Sequence, residues 1–194
     1  MDPTFAEALG VLSPRLSTGS LVHAQAVAAT AETLAGRYGV DPVASRLAGL
    51  LHDWCRDTPY DTLLVEAARR GIEITTVDLE RPYLLHGPVG ASMLFEAFPE
   101  MRLDIVRAVE VHTFGAPCMS DLDRIVYVAD MIEPERDFRG VGKLRKAVAS
   151  ATLDELFTLA YARSISHIVR ARRPLHPRTV VVWNSLVTAQ DDRS

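Results

Sequence analysis

The sequence has little cysteine and no long apolar run. Its two cysteines, Cys55 and Cys118, lie far apart and form no CxxC pair, which argues against a disulfide framework and favours a reducing compartment. No apolar run reaches the ~18 residues that a membrane-spanning helix requires. Met1–Gly10 carries acids where a secretion signal would carry bases. We therefore expect a cytoplasmic protein without a membrane partner.

The sequence also lacks an excess of basic residues. It has 21 Lys and Arg against 25 Asp and Glu, which gives a net charge of −4. A nucleic-acid surface would need surplus positive charge, whereas a small nucleotide needs only a local basic patch. With 194 residues, 48% of them hydrophobic, the chain has the size and apolar content of a single domain covering residues 1–194.

Strand-type alternation is nearly absent, apart from Thr179–Trp183 and a weak signal at Ile72–Ile74. Helical periodicity fills most of the chain, with helix caps predicted at Asp2, Ser20, Asp41 and Ser120. A connecting loop is predicted at residues 72–82. The predicted helices cover about residues 2–11, 20–39, 42–53, 60–70, 83–98, 103–112, 120–132, 141–149, 153–171 and 177–189. The fold class is therefore all-α, a bundle of roughly eight to ten helices.

Histidines and acids recur beside apolar helices, in the order His23, His52, Asp53, His86, His112 and Asp130. Imidazole and carboxylate ligands suit divalent transition metals, and the absence of nearby thiolates argues against a closed structural zinc site. Neighbouring helical residues point ~100° apart, so His52 and Asp53 can converge on one ion only near a helix end. Pro59 and the polar segment before it supply that end.

Single members of this set have plainer interpretations. Asp130 lies in the apolar segment Ile125–Ile132, where a carboxylate is costly to bury unless it is metal-bound or, for example, paired with an arginine. A lone histidine is more often a surface or hydrogen-bonded core residue. His167, near Arg163 and Arg170, is predicted to face solvent. The whole set of two acids and four histidines in one short chain is what favours a metal site.

The order H…HD…H…H…D resembles the HD-domain superfamily of metal-dependent phosphohydrolases. More specifically, the chain resembles the YqeK-type symmetrical bis(5′-nucleosyl)-tetraphosphatases from about residue 20 to the C-terminal helix. The matching segments are His23-Ala-Gln-Ala-Val27, Leu50-Leu-His-Asp53, His86-Gly87, His112-Thr113, Tyr127-Val-Ala-Asp-Met-Ile-Glu-Pro134, Arg136-Asp137-Phe138 and Arg173-Pro174-Leu175-His176-Pro177. The resemblance implies one HD-type helical bundle, with a core at about residues 20–134 and C-terminal helices at about 141–190 that complete a nucleotide site.

The resemblance also implies an enzyme that cleaves diadenosine tetraphosphate into two ADP, by a water activated at a divalent centre. That centre would hold one or two ions, most typically iron, with manganese, cobalt and zinc as alternatives. The residues that would bind the principal ion are His23, His52, Asp53 and Asp130. His86 and His112 would bind a second ion or contact phosphate, and the catalytic residues would be Asp53, His86 and His112.

The implied nucleotide contacts are Ser20, His23, Arg56, Asp57, Thr58, Pro59, His86, His112, Arg136, Arg173, Pro174, Leu175, His176, Pro177 and Arg178. Two of these assignments have alternatives from the residues themselves. His176 is alternatively interpreted as a turn residue between prolines, and Arg172–Arg173 as a solvated helix end that favours the helix dipole. The implied partner is a dinucleoside polyphosphate, and a homodimer is left open.

Two other functions compete with this hypothesis. One is another HD-type phosphohydrolase or phosphodiesterase acting on nucleotides, cyclic dinucleotides or alarmones. The other is a non-catalytic module that senses nucleotide or metal. The complete ligand set argues against the module, because pure binding has no need of six convergent ligands.

Overall fold

The computed structural model describes residues 1–191, with side chains through Thr188. Eleven α-helices and no strand occur in this part of the chain, so the all-α class is confirmed with a helix count one above the predicted range. The helices are α1 (Phe5–Leu12), α2 (Thr18–Tyr38), α3 (Pro42–Leu51), α4 (Tyr60–Arg69), α5 (Thr76–Glu80), α6 (His86–Ala97), α7 (Leu103–Val111), α8 (Asp121–Ile132), α9 (Val141–Ala147), α10 (Leu153–Arg170) and α11 (Pro177–Asp191). Two 3-10 turns lie at Ser13–Arg15 and Pro82–Leu85.

Side-chain caps begin several of these helices. The Asp41 carboxylate accepts hydrogen bonds from the backbone N–H groups of Val43 and Ala44, and Pro42 occupies the first helical position. Ser120 begins α8 through a capping box with Asp123, as its position in the sequence predicts. These caps satisfy backbone donors that would otherwise have no partner at the helix start.

Three local predictions were wrong. Thr4, not Asp2, caps α1, because Thr4 forms a reciprocal capping box with Glu7. Ser17, not Ser20, caps α2, since the Ser17 hydroxyl accepts the Ser20 backbone N–H. The segment at 72–82 is not all loop, because it contains the short helix α5.

One further helix start differs from its prediction, and one further segment agrees with its prediction. The helix predicted at about 83–98 begins later, at His86, after the 3-10 turn at Pro82–Leu85. The segment Thr179–Trp183 is helical in α11, as predicted. No helix among the described residues has both the length and the apolar content needed to cross a bilayer.

Two groups of buried apolar residues form the core, and α2 and α8 contribute to both. One group centres on α3, α6 and α7 and includes Leu50, Trp54 and Ile105. The other centres on α8 and α10 and includes Val128 and Phe157. Because α2 and α8 lie where the two groups meet, residues on these helices are held rigidly from both sides.

Small residues bring α2 and α3 unusually close together. A Cβ built on Gly49 would lie 3.0 Å from the Cα of Ala28 and 3.1 Å from the carbonyl oxygen of Val27. A Cβ there would force the α2 backbone to shift by a few tenths of an ångström, so this close approach favours glycine. The close approach places the C-terminal end of α3 beside the N-terminal half of α2, where His23 lies.

Candidate metal centre

The structure brings together all four histidines and both aspartates that the sequence singles out. His23 lies on α2 and Asp130 on α8, while His86 is the first residue of α6. His52 and His112 are the C-caps of α3 and α7, and Asp53 follows directly. We name these residues the six-residue cluster: His23, His52, Asp53, His86, His112 and Asp130. The expectation that His52 and Asp53 converge at a helix end therefore agrees with their placement.

Asp53 is the centre of the cluster, and its two oxygens face different histidines. Oδ2 lies 3.3 Å from His52 Nε2 and 3.7 Å from His23 Nε2. Oδ1 lies 3.0 Å from His86 Nε2 and 3.6 Å from His112 Nε2. Asp53 is only 4% exposed, so this carboxylate links the two pairs of imidazoles away from solvent.

Three imidazoles are oriented by the backbone of the turn that precedes them. His52 Nδ1 donates to the Gly49 carbonyl at 2.8 Å, His86 Nδ1 to that of Tyr83 at 2.5 Å, and His112 Nδ1 to that of Val109 at 2.7 Å. A carbonyl only accepts, so each Nδ1 carries a proton and each Nε2 faces the cluster. Each of these histidines sits at a helix boundary, where its ring can reach a carbonyl three residues back.

The fourth imidazole, that of His23, is oriented by a carboxylate. Its Nδ1 lies 3.1 Å from Glu133 Oε1, and Glu133 is only 1% exposed. Its Nε2 lies 3.0 Å from Asp130 Oδ1 and accepts from Arg136 Nη2 at 3.3 Å. A carboxylate behind an imidazole fixes the ring tautomer and raises its basicity, as is common around metal-binding histidines.

A second glycine sets the spacing between His86 and His112. A Cβ built on Gly87 would lie 2.8 Å from Thr113 Oγ1 and 3.2 Å from the Glu110 carbonyl oxygen. The absence of that Cβ lets the start of α6 rest against the end of α7. As a result, His86 Nε2 and His112 Nε2 lie only 2.9 Å apart.

The buried charges of the cluster shift one another's pKa. Burial alone would lower the pKa of His52, but the nearby Asp53 carboxylate raises it to about 9. Burial alone would raise the pKa of Asp53, yet the surrounding histidines hold it well below its usual range. Burial lowers the pKa of His112. Strong mutual dependence of buried titratable groups is typical of functional sites.

Asp130 contacts both His23 and an arginine. Arg136 Nη2 donates a short hydrogen bond to Asp130 Oδ1, and Arg136 Nε donates to the Asp130 carbonyl at 2.9 Å. Burial by itself would raise the pKa of Asp130, but His23, His52 and Arg136 lower it strongly. The two interpretations of Asp130, as a cluster ligand and as an arginine partner, are thus compatible.

The cluster fits a divalent transition metal by its donor atoms. His52 Nε2 is fully buried and has no hydrogen-bond partner within the described residues, although it faces two carboxylates. Ligand atoms of His23, His52 and Asp130 lie within 4.8 Å of one another, and so do those of His52, Asp53 and His112. Imidazole nitrogens and carboxylate oxygens without thiolate are the donors that iron, manganese, cobalt and zinc accept.

A cleft of about 140 Å³ opens onto the cluster, and we name it the cluster cleft. Its walls include Arg56, Tyr83, Thr113 and Arg136, beside four members of the cluster. A second cavity, of about 80 Å³, shares Tyr83 and Thr113 with it. Arg173, Pro174 and His176 line this second cavity, which we name the C-terminal pocket.

Other residues predicted to contact nucleotide line neither the cluster cleft nor the C-terminal pocket. Ser20 Oγ donates to Asp57 Oδ1 at 2.9 Å, so these two side chains bind each other across α2 and the segment after α3. Thr58 is half-buried, and Pro59 is exposed at the start of α4. Leu175 is half-buried and Pro177 exposed. Arg178 lines a separate surface depression with Ile72 and Glu110.

His176 is buried inside the protein with both ring nitrogens in use. Its Nδ1 accepts the Arg178 backbone N–H at 3.1 Å, so its Nε2 carries the proton and lies 3.2 Å from Asp78 Oδ2. The ring also stacks on Phe114, with 4.0 Å between the ring centres. His176 therefore joins the C-terminal segment to α5, from a position immediately before the first residue of α11.

Four residues near the cluster were not among the predicted site residues: Glu133, Tyr83, Tyr127 and Ser164. Tyr83, Tyr127 and Ser164 line both the cluster cleft and the C-terminal pocket. Glu133 could have been noticed, because a carboxylate three residues after Asp130 at a helix end faces the same way. His167 is exposed, as predicted.

The HD domain family model matches residues 21–135. The chain is 31% identical to the symmetrical bis(5′-nucleosyl)-tetraphosphatase of Bacillus subtilis, across 94% of this chain and 97% of that protein. It is 32% identical to the enzyme of the same name from Halalkalibacterium halodurans, across 95% and 97% respectively. The crystal structure of an HD superfamily hydrolase from Clostridium acetobutylicum, described as involved in NAD metabolism, has 31% identity, a TM-score of 0.89 and covers 97% of this chain and 100% of its own.

Proposed function

This chain belongs to the HD domain family, and on that premise we propose that it hydrolyses diadenosine tetraphosphate symmetrically into two ADP with a divalent metal. The observation that carries the proposal is the convergence of four imidazoles and two carboxylates beside Arg136, in a chain similar over almost its whole length to enzymes of that name. Metal-dependent phosphoanhydride hydrolysis needs this combination of cation ligands and phosphate-binding groups.

The proposed ligands of the principal ion are His23, His52, Asp53 and Asp130. His86 and His112 are proposed to bind a second ion or the phosphate chain. Asp53 contributes one oxygen on the side of His52 and the other on the side of His86 and His112. Iron is the proposed metal, with manganese, cobalt and zinc as alternatives, because the donor set accepts all four. When bound, such an ion lowers the pKa of water and offsets negative charge on the phosphates.

The reaction adds water across the central phosphoanhydride of the substrate. The water oxygen forms a bond to one of the two middle phosphorus atoms, and the bridging oxygen leaves with the other phosphorus. Each half then carries two phosphates, and the two protons of water are released to solvent or to basic groups. Arg136 is placed at the edge of the cluster, where its guanidinium can contact the oxygens that gain negative charge.

The rest of one nucleotide is proposed to extend from the cluster cleft into the C-terminal pocket. Arg173 and Pro174 line that pocket, and His176 anchors the segment that carries them. Arg56 lines the cluster cleft, with Nε 4.0 Å from Asp53 Oδ2. In this proposal, residues of about 141–190 complete the nucleotide site around a core of about 20–134. A homodimer and a cytoplasmic location stay predictions.

The test is to resolve the products of metal-reconstituted protein with diadenosine tetraphosphate by chromatography. ADP as the sole product supports symmetrical cleavage. AMP with ATP would instead indicate another kind of phosphohydrolase. Nucleotide binding without turnover would support a sensing module.

Asp53→Asn keeps the shape of the central side chain but removes its charge, so we expect loss of bound metal and of turnover. Asp61→Asn is the matched control, because Asp61 is exposed on α4 outside the cluster. Full activity of Asp53→Asn would contradict the assignment of the cluster as the metal site. Circular dichroism of both variants should show unchanged helix content.

A further inference from the structure

A third cavity, of about 500 Å³, adjoins the cluster cleft. Met131, Arg136 and Ser164 line both this cavity and the cluster cleft, so the two are adjacent. We name it the basic pocket, because most of its lining residues are basic. These residues are Arg136, Arg139, Arg163, His167 and Arg170, and Phe138 lies among them. None of its lining residues is an acid.

Three basic side chains of this pocket lie on one face of α10. Arg163, His167 and Arg170 are four and three residues apart, which places them on the same side of the helix. Within the described residues, Arg139, Arg163 and Arg170 form no ion pair with a carboxylate, unlike Arg136, which binds Asp130. In a chain of net charge −4, cations gathered without counter-charge favour an anionic ligand.

Arg163 is the most constrained of these arginines. Its Nε is buried without a hydrogen-bond partner among the described residues. Its guanidinium carbon lies 5.9 Å from the centre of the Phe138 ring, and a Cβ on Gly140 would lie 3.2 Å from it. The guanidinium therefore packs between an aromatic ring and the backbone. A planar cation of this kind binds phosphate oxygens in a forked geometry.

The pocket also offers apolar surface. Phe138 and Met131 are half-buried and line the same cavity as the arginines. An aromatic ring next to a guanidinium is a surface on which a nucleobase can stack. Phosphate-binding cations and a stacking surface in one cavity match the chemistry of a nucleoside diphosphate.

We propose that the basic pocket binds the second nucleoside diphosphate half of the substrate, the half that leaves as ADP. This inference rests on the proposed function, because it assumes a substrate with two like halves. One half occupies the cluster cleft and the C-terminal pocket, and the tetraphosphate chain passes Arg136 into the basic pocket. When the central bond breaks, the bridging oxygen departs with this second half, and its new negative charge lies among the arginines.

The experiment compares two charge-removing variants. Arg139→Gln with Arg170→Gln removes two exposed cations from the pocket, and Lys143→Gln with Lys146→Gln removes two exposed cations from α9, outside it. Both double variants change the net charge equally. We expect the arginine variant to lower kcat/KM for diadenosine tetraphosphate at least tenfold, and the lysine variant to leave it within about twofold.

A binding measurement gives a readout independent of turnover. Equilibrium dialysis of metal-loaded protein with ADP should find a second bound ADP per chain in the lysine variant and lose it in the arginine variant. Phe138→Leu refines the test, because it keeps apolar volume but removes the ring. It should weaken cleavage of diadenosine tetraphosphate but not of adenosine tetraphosphate, which lacks the second adenosine.

The outcomes separate this inference from the proposed function. Wild-type cleavage to ADP, with the arginine variant indistinguishable from the lysine variant in both assays, would overturn the pocket assignment alone. If the wild type does not cleave the substrate but binds a second ADP that only the arginine variant loses, the proposed reaction is overturned. The assignment of the basic pocket is then retained. If the wild type neither cleaves the substrate nor binds a second ADP, both the proposed reaction and the pocket assignment are overturned.

Discussion

His86 Nε2 and His112 Nε2 face each other at 2.9 Å, although the Nδ1 of each ring already donates to a backbone carbonyl. With both protons on Nδ1, two nitrogen lone pairs point at one another, and they repel unless a proton or a cation lies between them. Two nitrogen ligands at ~2.1 Å from one ion lie about 3 Å apart when they are at right angles. The pair therefore has the separation of neighbouring ligands on a shared ion.

Metal uptake should release protons near neutral pH. The pKa of His52, raised to about 9, keeps the ring protonated at pH 7 in the absence of metal, and this proton must leave before Nε2 can bind a cation. We expect apparent metal affinity to rise with pH up to about 9 and then to level off. Calorimetry in buffers of different ionisation enthalpy would measure the protons released. Uptake with no proton release at pH 7 would contradict this assignment.

The same shift predicts how stability without metal depends on pH. The folded-state pKa of His52 is above its unfolded value of about 6.5, so its interaction with Asp53 contributes fully below that value. The contribution is lost as the pH rises through about 9. Chemical denaturation of chelated protein should therefore give a lower free energy of unfolding at pH 10 than at pH 7. His52→Gln, which cannot gain the proton, should flatten this dependence.

Glu133→Gln tests the carboxylate behind His23. The amide keeps the size of the side chain but loses the charge that orients His23 Nδ1. We expect metal affinity to fall about 10- to 100-fold with little change in helix content. Glu135→Gln is the matched control, because Glu135 is exposed two residues further on. Competition with a chelator measures both, and equal affinities would show that Glu133 does not position the ring.

Gly87→Ala tests the contact between α6 and α7. Its Cβ would collide with Thr113 Oγ1, so we expect a loss of about 1–3 kcal/mol in the free energy of unfolding. Metal binding should also weaken, because His86 and His112 would separate. Gly36→Ala is the control, since nothing lies near its Cβ and it is exposed on α2. There we expect a gain of about 0.5–1 kcal/mol.

His176 and Asp78 should act as a unit. If His176 only anchors the C-terminal segment, then His176→Ala and Asp78→Ala should each destabilise the fold, and the double variant should cost less than their sum. A coupling energy of about 0.5–3 kcal/mol is expected from a double-mutant cycle in urea. Additive effects on stability, together with a rise in KM for His176→Ala alone, would instead indicate direct contact with nucleotide.

Residues with a strong local signal were predictable from the sequence. Asp41 and Ser120 cap helices as expected, since each stands immediately before an apolar helical pattern. The convergence at His52 and Asp53 followed from their position at a helix end. Ser17 was missed because Ser20, three residues later, is an equally good cap by type. The choice between them depends on where Asp57 binds, which is a contact between distant segments.

The surroundings of the cluster were less predictable, because they depend on packing. The role of Glu133 requires α2 and α8 to lie side by side, and the sequence does not fix that distance. The burial of His176 requires α5, a helix that the sequence analysis took for loop. The basic pocket requires Arg139 and Arg163, which are far apart in the chain, to line one cavity. Local patterns report on helices, whereas these features arise from which helices touch.

The hydrogen bonds from His52, His86 and His112 Nδ1 to backbone carbonyls do not depend on which side chains surround them. Each ring receives its proton placement from a carbonyl three residues upstream, which every amino acid supplies whatever its side chain. We therefore expect replacement of the surrounding residues to leave the tautomers of these three rings unaltered. His23 is the exception, since its orientation relies on a particular side chain, and Glu133 should tolerate exchange less well than the neighbours of the other three.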